Sequence, residues 1–234
     1  MPAPKPVNPA IPSTGAELSE FLLRACHDLR GPIRIVRTNA ELLARNRAAE
    51  GGDESARSLD FILQGARLAG EMIDGLTDYS LALGINPSSF QPVPTDVILR
   101  GALARLSNKL REQNADVTYG ALPTIPGDAD RLQQLFQYLL EDAVIRRGPG
   151  NLRVRISAEP HPDGWLFTLR DNGVGWETEL LDRIFAPFER LNGRQRSGPG
   201  LATCRVIVER HGGRIWAESE PGASGAFRIV LPAQ

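Results

Sequence analysis

The sequence predicts an α+β protein in two parts, an antiparallel helical hairpin that completes a dimeric four-helix bundle and, after a break, an α/β sandwich. Three observations carry this. Leu22, Cys26, Leu29, Ile33, Val36, Ala40 and Leu43 follow one another at alternating spacings of four and three, the seam of a helix that packs along a partner. The seam recurs at Leu59, Ile62, Ala66, Ala69, Ile73, Leu76, Ser80 and Leu83. The third observation is that helical periodicity then stops in GINPSSFQPVP, residues 84–94, and mixed helix and strand patterns follow.

The elements are justified in order. Residues 1–15 carry five prolines and no periodicity, so an extended or disordered leader is expected. Ser13 or Thr14 can cap a helix running from about Ala16 to Arg47, with Pro32 bending it and Glu50 to Asp53 ending it. A second helix spans Glu54 to Leu83, so the hairpin is residues 16–84. Two such helices bury too little alone, and an identical pair from a second copy completes the bundle; a homodimer is expected. Residues 85–94 read as a linker and 95–234 as the second domain. There the patterns predict a helix over 97–113, a strand over 116–119 and a helix over 129–146 signalled by the Gly127 and Asp128 turn. Strands follow at 152–158 and 165–169, then a helix at 201–210 and a hairpin of 214–219 with 226–230 across PGASG. The result is a layer of helices over a largely antiparallel sheet.

Composition excludes several classes. With 27 basic and 28 acidic residues the net charge is -1, so no global field recruits nucleic acid or an acidic membrane surface. No apolar run reaches the roughly 18 residues of a membrane span, and the first residues lack the apolar core of a signal peptide, so a cytoplasmic location is expected. Cys26 and Cys204 fall in helical patterns and read as small buried apolar residues rather than a disulfide or metal site.

Chemistry concentrates in three places. His27, followed at once by Asp28, stands one residue off the first seam, with its imidazole open to a second reactant; a lone helical histidine is otherwise a packing or surface residue. DNGVG, residues 171–175, follows a strand: its glycines let backbone pass close to a planar ligand, and Asp171 can accept from an amino group such as that of adenine. A tight turn explains that stretch equally well. Ser197, Gly198, Pro199 and Gly200 open a helix at Leu201, offering free amides and a positive dipole end to phosphates.

HDLRGP, RLQQLFQYLLEDA, DNGVGW, DRIFAPFERL and the long run from GPGLATCRVIVERHGG to the closing strands, in that order over residues 14–232, resemble the catalytic core of a bacterial histidine kinase of the bacteriophytochrome-type branch. The resemblance implies a dimerisation and histidine-phosphotransfer hairpin followed by a Bergerat-type ATP-binding domain, shared with gyrase, a class of heat-shock chaperones and mismatch-repair ATPases. It implies that His27 accepts phosphate from Mg-ATP, that Asp28 draws or orients its proton, and that the phosphoryl group passes to an aspartate on a response regulator receiver domain. Imidazole titrates near neutrality and an adjacent carboxylate stabilises the charge that builds up, which suits those roles. It implies further that Asp171, Gly173 and Gly175 hold adenine and that Arg196, Gly198, Gly200 and Leu201 surround the phosphates. Phe185 and Phe188 match a phenylalanine pair beside the lid, with core packing an equal explanation.

The chain departs from that family at definite positions. Two asparagines four residues apart normally face magnesium and the triphosphate; here they are Tyr138 and Asp142. Asp142 can serve as a hard oxygen ligand for Mg2+, whereas the Tyr138 hydroxyl cannot replace an amide's paired donor and acceptor. Ile145 stands where a lysine is common, leaving Arg146 and Arg147 to reach. Arg196 replaces a glycine and Pro199 removes an amide donor, which Arg194 and Arg196 can offset. Gly31 replaces the threonine or asparagine that positions water, so weak phosphatase activity is expected. These departures keep open a histidine phosphotransferase or pseudokinase relay with a degenerate ATP-binding domain, and a nucleotide-sensing scaffold. Arg30, Arg34 and Arg37 are either regulator-specificity residues or solvated charges.

Overall fold

The computed structural model describes residues 29–43, 52–186, 190–191, 195–196, 199–220, 222 and 224–233. These divide between Asp78 and Tyr79 into two compact units.

In the first unit, residues 29–43 are helical (α1), and α2 spans Gly52–Leu83, so the expected helices are present over the described residues. The leader and both ends of the first helix lie outside them. Gly65 of α2 meets α1 closely: a Cβ there would lie 2.9 Å from the Pro32 carbonyl oxygen and from Val36 Cγ2. That approach decides which stripe of α2 is covered. Ser58, Gly65, Met72 and Gly75 are buried, whereas Leu59 and Ile73 of the expected seam are 47% and 54% exposed. The buried line is therefore one position N-terminal to the predicted seam, because small residues at 58 and 65 admit a neighbouring backbone and leucine or isoleucine would not. Ile33, Leu42, Leu59, Phe61, Leu63 and Ile73 remain exposed.

The second unit is built on a five-stranded sheet in the order β2, β4, β5, β9, β8, from β2 (Asp116–Tyr119), β4 (Arg153–His161), β5 (Gly164–Asp171), β8 (Arg214–Glu220) and β9 (Ser224–Leu231). Only the β2–β4 pair is parallel. Alternation sorts the faces: Val154, Ile156, Phe167, Leu169, Phe227 and Ile229 point inward, and Arg153, Arg155 and Arg170 outward to solvent. Against the inner face lies α5 (Ala129–Ile145), which touches both α3 (Thr95–Arg105) and α6 (Pro199–Arg210). Its 3.6-residue stripe of Leu132, Leu135, Phe136, Leu139, Leu140 and Ala143 is buried, each large side chain contributing about 1.5–3 kcal/mol of transfer free energy. Phe136 meets Phe167 edge-on at 6.2 Å, joining helix layer to sheet.

Three expectations are corrected. Residues 85–94 are no free linker: β1 (Gln91–Pro94) pairs antiparallel with β3 (Thr124–Gly127), Val93 is buried, and Phe90 stacks on His211 at 4.4 Å. Proline at 92 and 94 hid this strand, yet a two-stranded edge ribbon tolerates the missing donors. The helix expected over 97–113 is two, α3 and α4 (Ser107–Glu112), separated at Leu106. The third is a short ribbon of β6 (Arg190–Leu191) and β7 (Gln195–Arg196), which lies between the 3-10 turn Thr178–Leu180 and α6, where no strand was expected.

Candidate functional site

One face of α5 and the turn after β5 make the site. Tyr138, Asp142 and Arg146 succeed one another every fourth residue, so they form a single stripe along the end of α5 and its C-cap, Arg146. Beside that stripe, Asp171 closes β5, opposite Val154 on one side and Gly225 of β9 on the other.

The turn after Asp171 requires its glycines. Asp171 Oδ1 accepts from the Gly173 amide at 2.8 Å, an Asx turn that draws residue 173 against α5. A Cβ at Gly173 would lie 2.5 Å from the Arg146 carbonyl oxygen, and Gly175 has φ +68° with its Cβ position 2.8 Å from the Ser224 carbonyl oxygen. The Val174 amide donates to the Arg146 carbonyl at 3.0 Å, tying the turn to the end of α5. Asn172 faces away, accepting from the Arg153 amide at 2.7 Å and donating to the Asn151 carbonyl at 3.1 Å.

Arg146 joins the two acids. Its Nε donates to Asp142 Oδ2 at 2.6 Å and its Nη2 to Asp171 Oδ2 at 3.0 Å. The guanidinium lies 3.4 Å from the centroid of Trp176, whose amide donates to Ser219 Oγ at 2.7 Å. Asp171's side chain is wholly buried, Arg146's is 6% exposed and Asp142's 17%. Burial raises the Asp142 carboxyl above the ordinary aspartate range, Arg146 opposes that rise, and the neighbouring Asp171 adds to it. Arg146 Nη1 is buried with no hydrogen-bond partner. The centre thus holds two carboxylates and one guanidinium, one of whose three nitrogens is without a hydrogen-bond partner.

The structure brings together Asp142, Asp171, Gly173 and Gly175, and it places Gly200 near them: a Cβ at Gly200 would be 3.1 Å from Tyr138 Cδ1. Tyr138 therefore lies against the start of α6. Leu201 has a buried side chain, leaving its backbone alone to meet a ligand. Arg196 lies in β7. Phe185 is buried and edge-on to Phe227 at 6.1 Å, as core packing would place it. His27, Asp28, Phe188, Arg194 and Gly198 lie outside the described residues.

Two participants were not assigned from sequence. In the sequence Arg146 reads only as a basic residue within reach, although its i+4 spacing from Asp142 signals an ion pair. Trp176 carried no local signal, since its partner is thirty positions away in the sequence. The expected metal site does not fit the side chains as they stand. Asp142 is engaged by Arg146, and among the described residues no cluster of three or more His, Cys, Asp or Glu could hold a cation.

Comparison with known proteins agrees with this architecture. Residues 127–234 match the histidine kinase-, DNA gyrase B-, and HSP90-like ATPase family. The chain is 34% identical over 222 residues to cyanobacterial phytochrome A of Nostoc sp., covering 94% of this chain and 29% of that protein. It is 33% identical over 225 residues to the phytochrome-like protein Cph1 of Synechocystis sp., covering 94% of this chain and 30% of that one. The chain thus spans less than a third of these relatives. Among solved structures, Acinetobacter baumannii histidine kinase AdeS shares the fold with a TM-score of 0.67 at 20% identity, covering 89% of this chain and 98% of that one. Histidine kinase ThkA in complex with the response regulator protein TrrA does so at 0.68 and 21%, covering 94% and 63%.

Proposed function

Since residues 127–234 are an ATPase domain of the histidine kinase, DNA gyrase B and HSP90 kind, and the chain's relatives are phytochrome-type and other sensor histidine kinases, we propose that the protein is the catalytic core of a two-component histidine kinase. In this reading ATP binds at Asp171, Gly173 and Gly175, His27 attacks the γ-phosphoryl group with Asp28 taking or orienting its proton, and phosphohistidine passes the group to an aspartate of a response regulator. The observation that carries the proposal is the Asp171 turn, which needs glycine at 173 and 175 and sets a carboxylate at a strand end beside the helix bearing Asp142. Gly198, Gly200 and the Leu201 and Arg196 backbone would receive the phosphates at the start of α6. Mg2+ would supply charge neutralisation for the transfer, and Asp142 would be the carboxylate to hold it if freed from Arg146.

We assign the working form to a homodimer in the cytoplasm. Exposed Leu59, Leu63 and Ile73 fall on one face of α2 and are a surface a second hairpin would cover. No helix among the described residues is long and apolar enough to cross a membrane.

A second reading, a phosphotransferase relay with a degenerate ATP-binding domain, is favoured by one observation: both acids expected to serve the nucleotide are engaged by Arg146. Incubation with γ-labelled ATP and magnesium separates the two. Acid-labile, base-stable label that disappears in His27→Ala and in Asp171→Asn is the expected result. A folded dimer that takes no label from ATP but accepts it from a phosphorylated regulator would establish the relay.

A further inference from the structure

Arg146 reproduces, with groups of this chain, the contacts a bound adenine would make. Its guanidinium is planar and stacks 3.4 Å from the Trp176 ring centroid. Through Nη2 it donates at 3.0 Å to Asp171 Oδ2, the kind of bond an exocyclic amino group would donate. Through Nε it engages Asp142 as well, at 2.6 Å. Asp171 has no solvent-exposed side-chain surface, and Arg146 holds the oxygen that an incoming base would have to reach.

Arg146 Nη1 is buried without a hydrogen-bond partner. It faces Gly225, where a Cβ would lie 2.9 Å from Nη1, 2.8 Å from Trp176 Cζ3 and 3.2 Å from Asp171 Oδ2. Glycine at 225 is what leaves room for the guanidinium, and room left by a missing Cβ beside Asp171 is also room for the edge of a flat ring. The cluster carries two acids against one base, so a departing Arg146 leaves a site ready for a cation or a donor.

We propose that Arg146 is an internal latch that occupies the adenine position of the nucleotide site and must swing off Asp171 and Asp142 before ATP and its metal can enter. The proposal rests on the reading of Asp171 as the adenine-binding acid. Latched and open forms are in equilibrium, and the apparent affinity for ATP is the open form's affinity scaled by the open fraction. Loss of the latch therefore tightens ATP binding, which a residue that contacts the nucleotide favourably would not do.

The test is calorimetric titration of the full chain with ATP, with and without magnesium. Arg146→Ala alone strands two buried carboxylates and endangers folding, so the principal variant is the charge-balanced Asp142→Asn/Arg146→Gln, with circular dichroism and melting as the folding control. If the open form is a tenth of the population, this variant binds ATP about tenfold more tightly than the unsubstituted protein. Arg146→Lys, which keeps the charge and loses the planar stack, falls between them. Adding Asp171→Asn to the open variant removes the gain. Equal or weaker binding by the folded open variant, with the unsubstituted protein binding ATP and Asp171→Asn abolishing it, overturns the latch and leaves the nucleotide site standing. No ATP binding by any folded variant overturns the nucleotide site and the latch together.

Discussion

The two ends of α5 each carry a buried polar cluster, and they are built to opposite standards. At the N-terminal end, Asp128 caps the helix by accepting from the Arg131 amide at 3.1 Å, and its own amide donates to His211 Nε2 at 3.0 Å. His211 Nδ1 donates to the Ile207 carbonyl at 2.7 Å, so both ring nitrogens are spent and the neutral tautomer is fixed. At the C-terminal end, Arg146 bridges two carboxylates of which one is wholly buried, and one of its own donors goes unused. The first cluster closes an architecture by fastening β1, β3, α5 and α6 together. The second holds excess charge out of water at the cost of an unsatisfied group. Full satisfaction marks a structural joint, and a deficit beside a glycine-lined turn marks a site.

The contrast predicts a ranking. The largest effect is expected from Arg146→Ala, which leaves Asp142 and Asp171 buried without a countercharge and costs about 3–5 kcal/mol in denaturant unfolding. A loss below about 1 kcal/mol would mean that the acids reach water readily and would erase the distinction between the two ends. Next is Gly175→Ala. Its φ of +68° and its approach to the Ser224 carbonyl oxygen predict a loss of about 1–3 kcal/mol together with weakened ATP binding.

The His211 end responds to pH instead. Burial lowers its pKa below the ordinary 6.5, and its hydrogen bond to Ile207 and the nearby Asp128 only partly oppose this. The folded protein thus binds fewer protons than the unfolded chain between the lowered value and 6.5. Stability from this group is fully present above pH 6.5 and falls as pH drops from there through the folded value. Urea unfolding across that window should show the slope in the unsubstituted protein and a flatter one in His211→Gln; identical slopes would assign the dependence elsewhere. The smallest effect lies on the solvent face of the sheet, where Arg155 and Arg170 stand directly opposite each other in the β4–β5 register. Arg155→Thr is expected to raise stability by about 0.2–1 kcal/mol, since it removes a like-charge pair already screened by water.

Periodicity made most of the framework legible. The β2 limits of Asp116–Tyr119 follow from local pattern, and α5 begins where Asp128 supplies a cap. The corrected elements are those whose partners are distant. β1 reads as a linker because its prolines look like breakers, and it becomes a strand only through pairing with β3 some thirty residues on. The covered stripe of α2 shifted by one position because Gly65 lets α1 approach, a choice between two adjacent apolar stripes that spacing does not rank. The turn of Asp171, Gly173 and Gly175 was legible because a turn is local chemistry. Trp176's stacking was not, because a ring's partner is set by packing.

The sequence by itself determined the order of the elements, two helical stretches ahead of the helix-and-sheet unit, the glycine-dependent turn after β5, and the presence of Tyr138 and Asp142 where the resemblance leads one to look for amides. Those are properties of spacing and side-chain type, which a chain carries before it folds. Only the tertiary structure decided that Arg146 spans Asp142 and Asp171, because β5 and the end of α5 meet through the Val174 and Gly173 contacts rather than through sequence neighbourhood. Whether a carboxylate is a free ligand or one half of an ion pair depends on what folding places within 3 Å of it, and here folding placed an arginine.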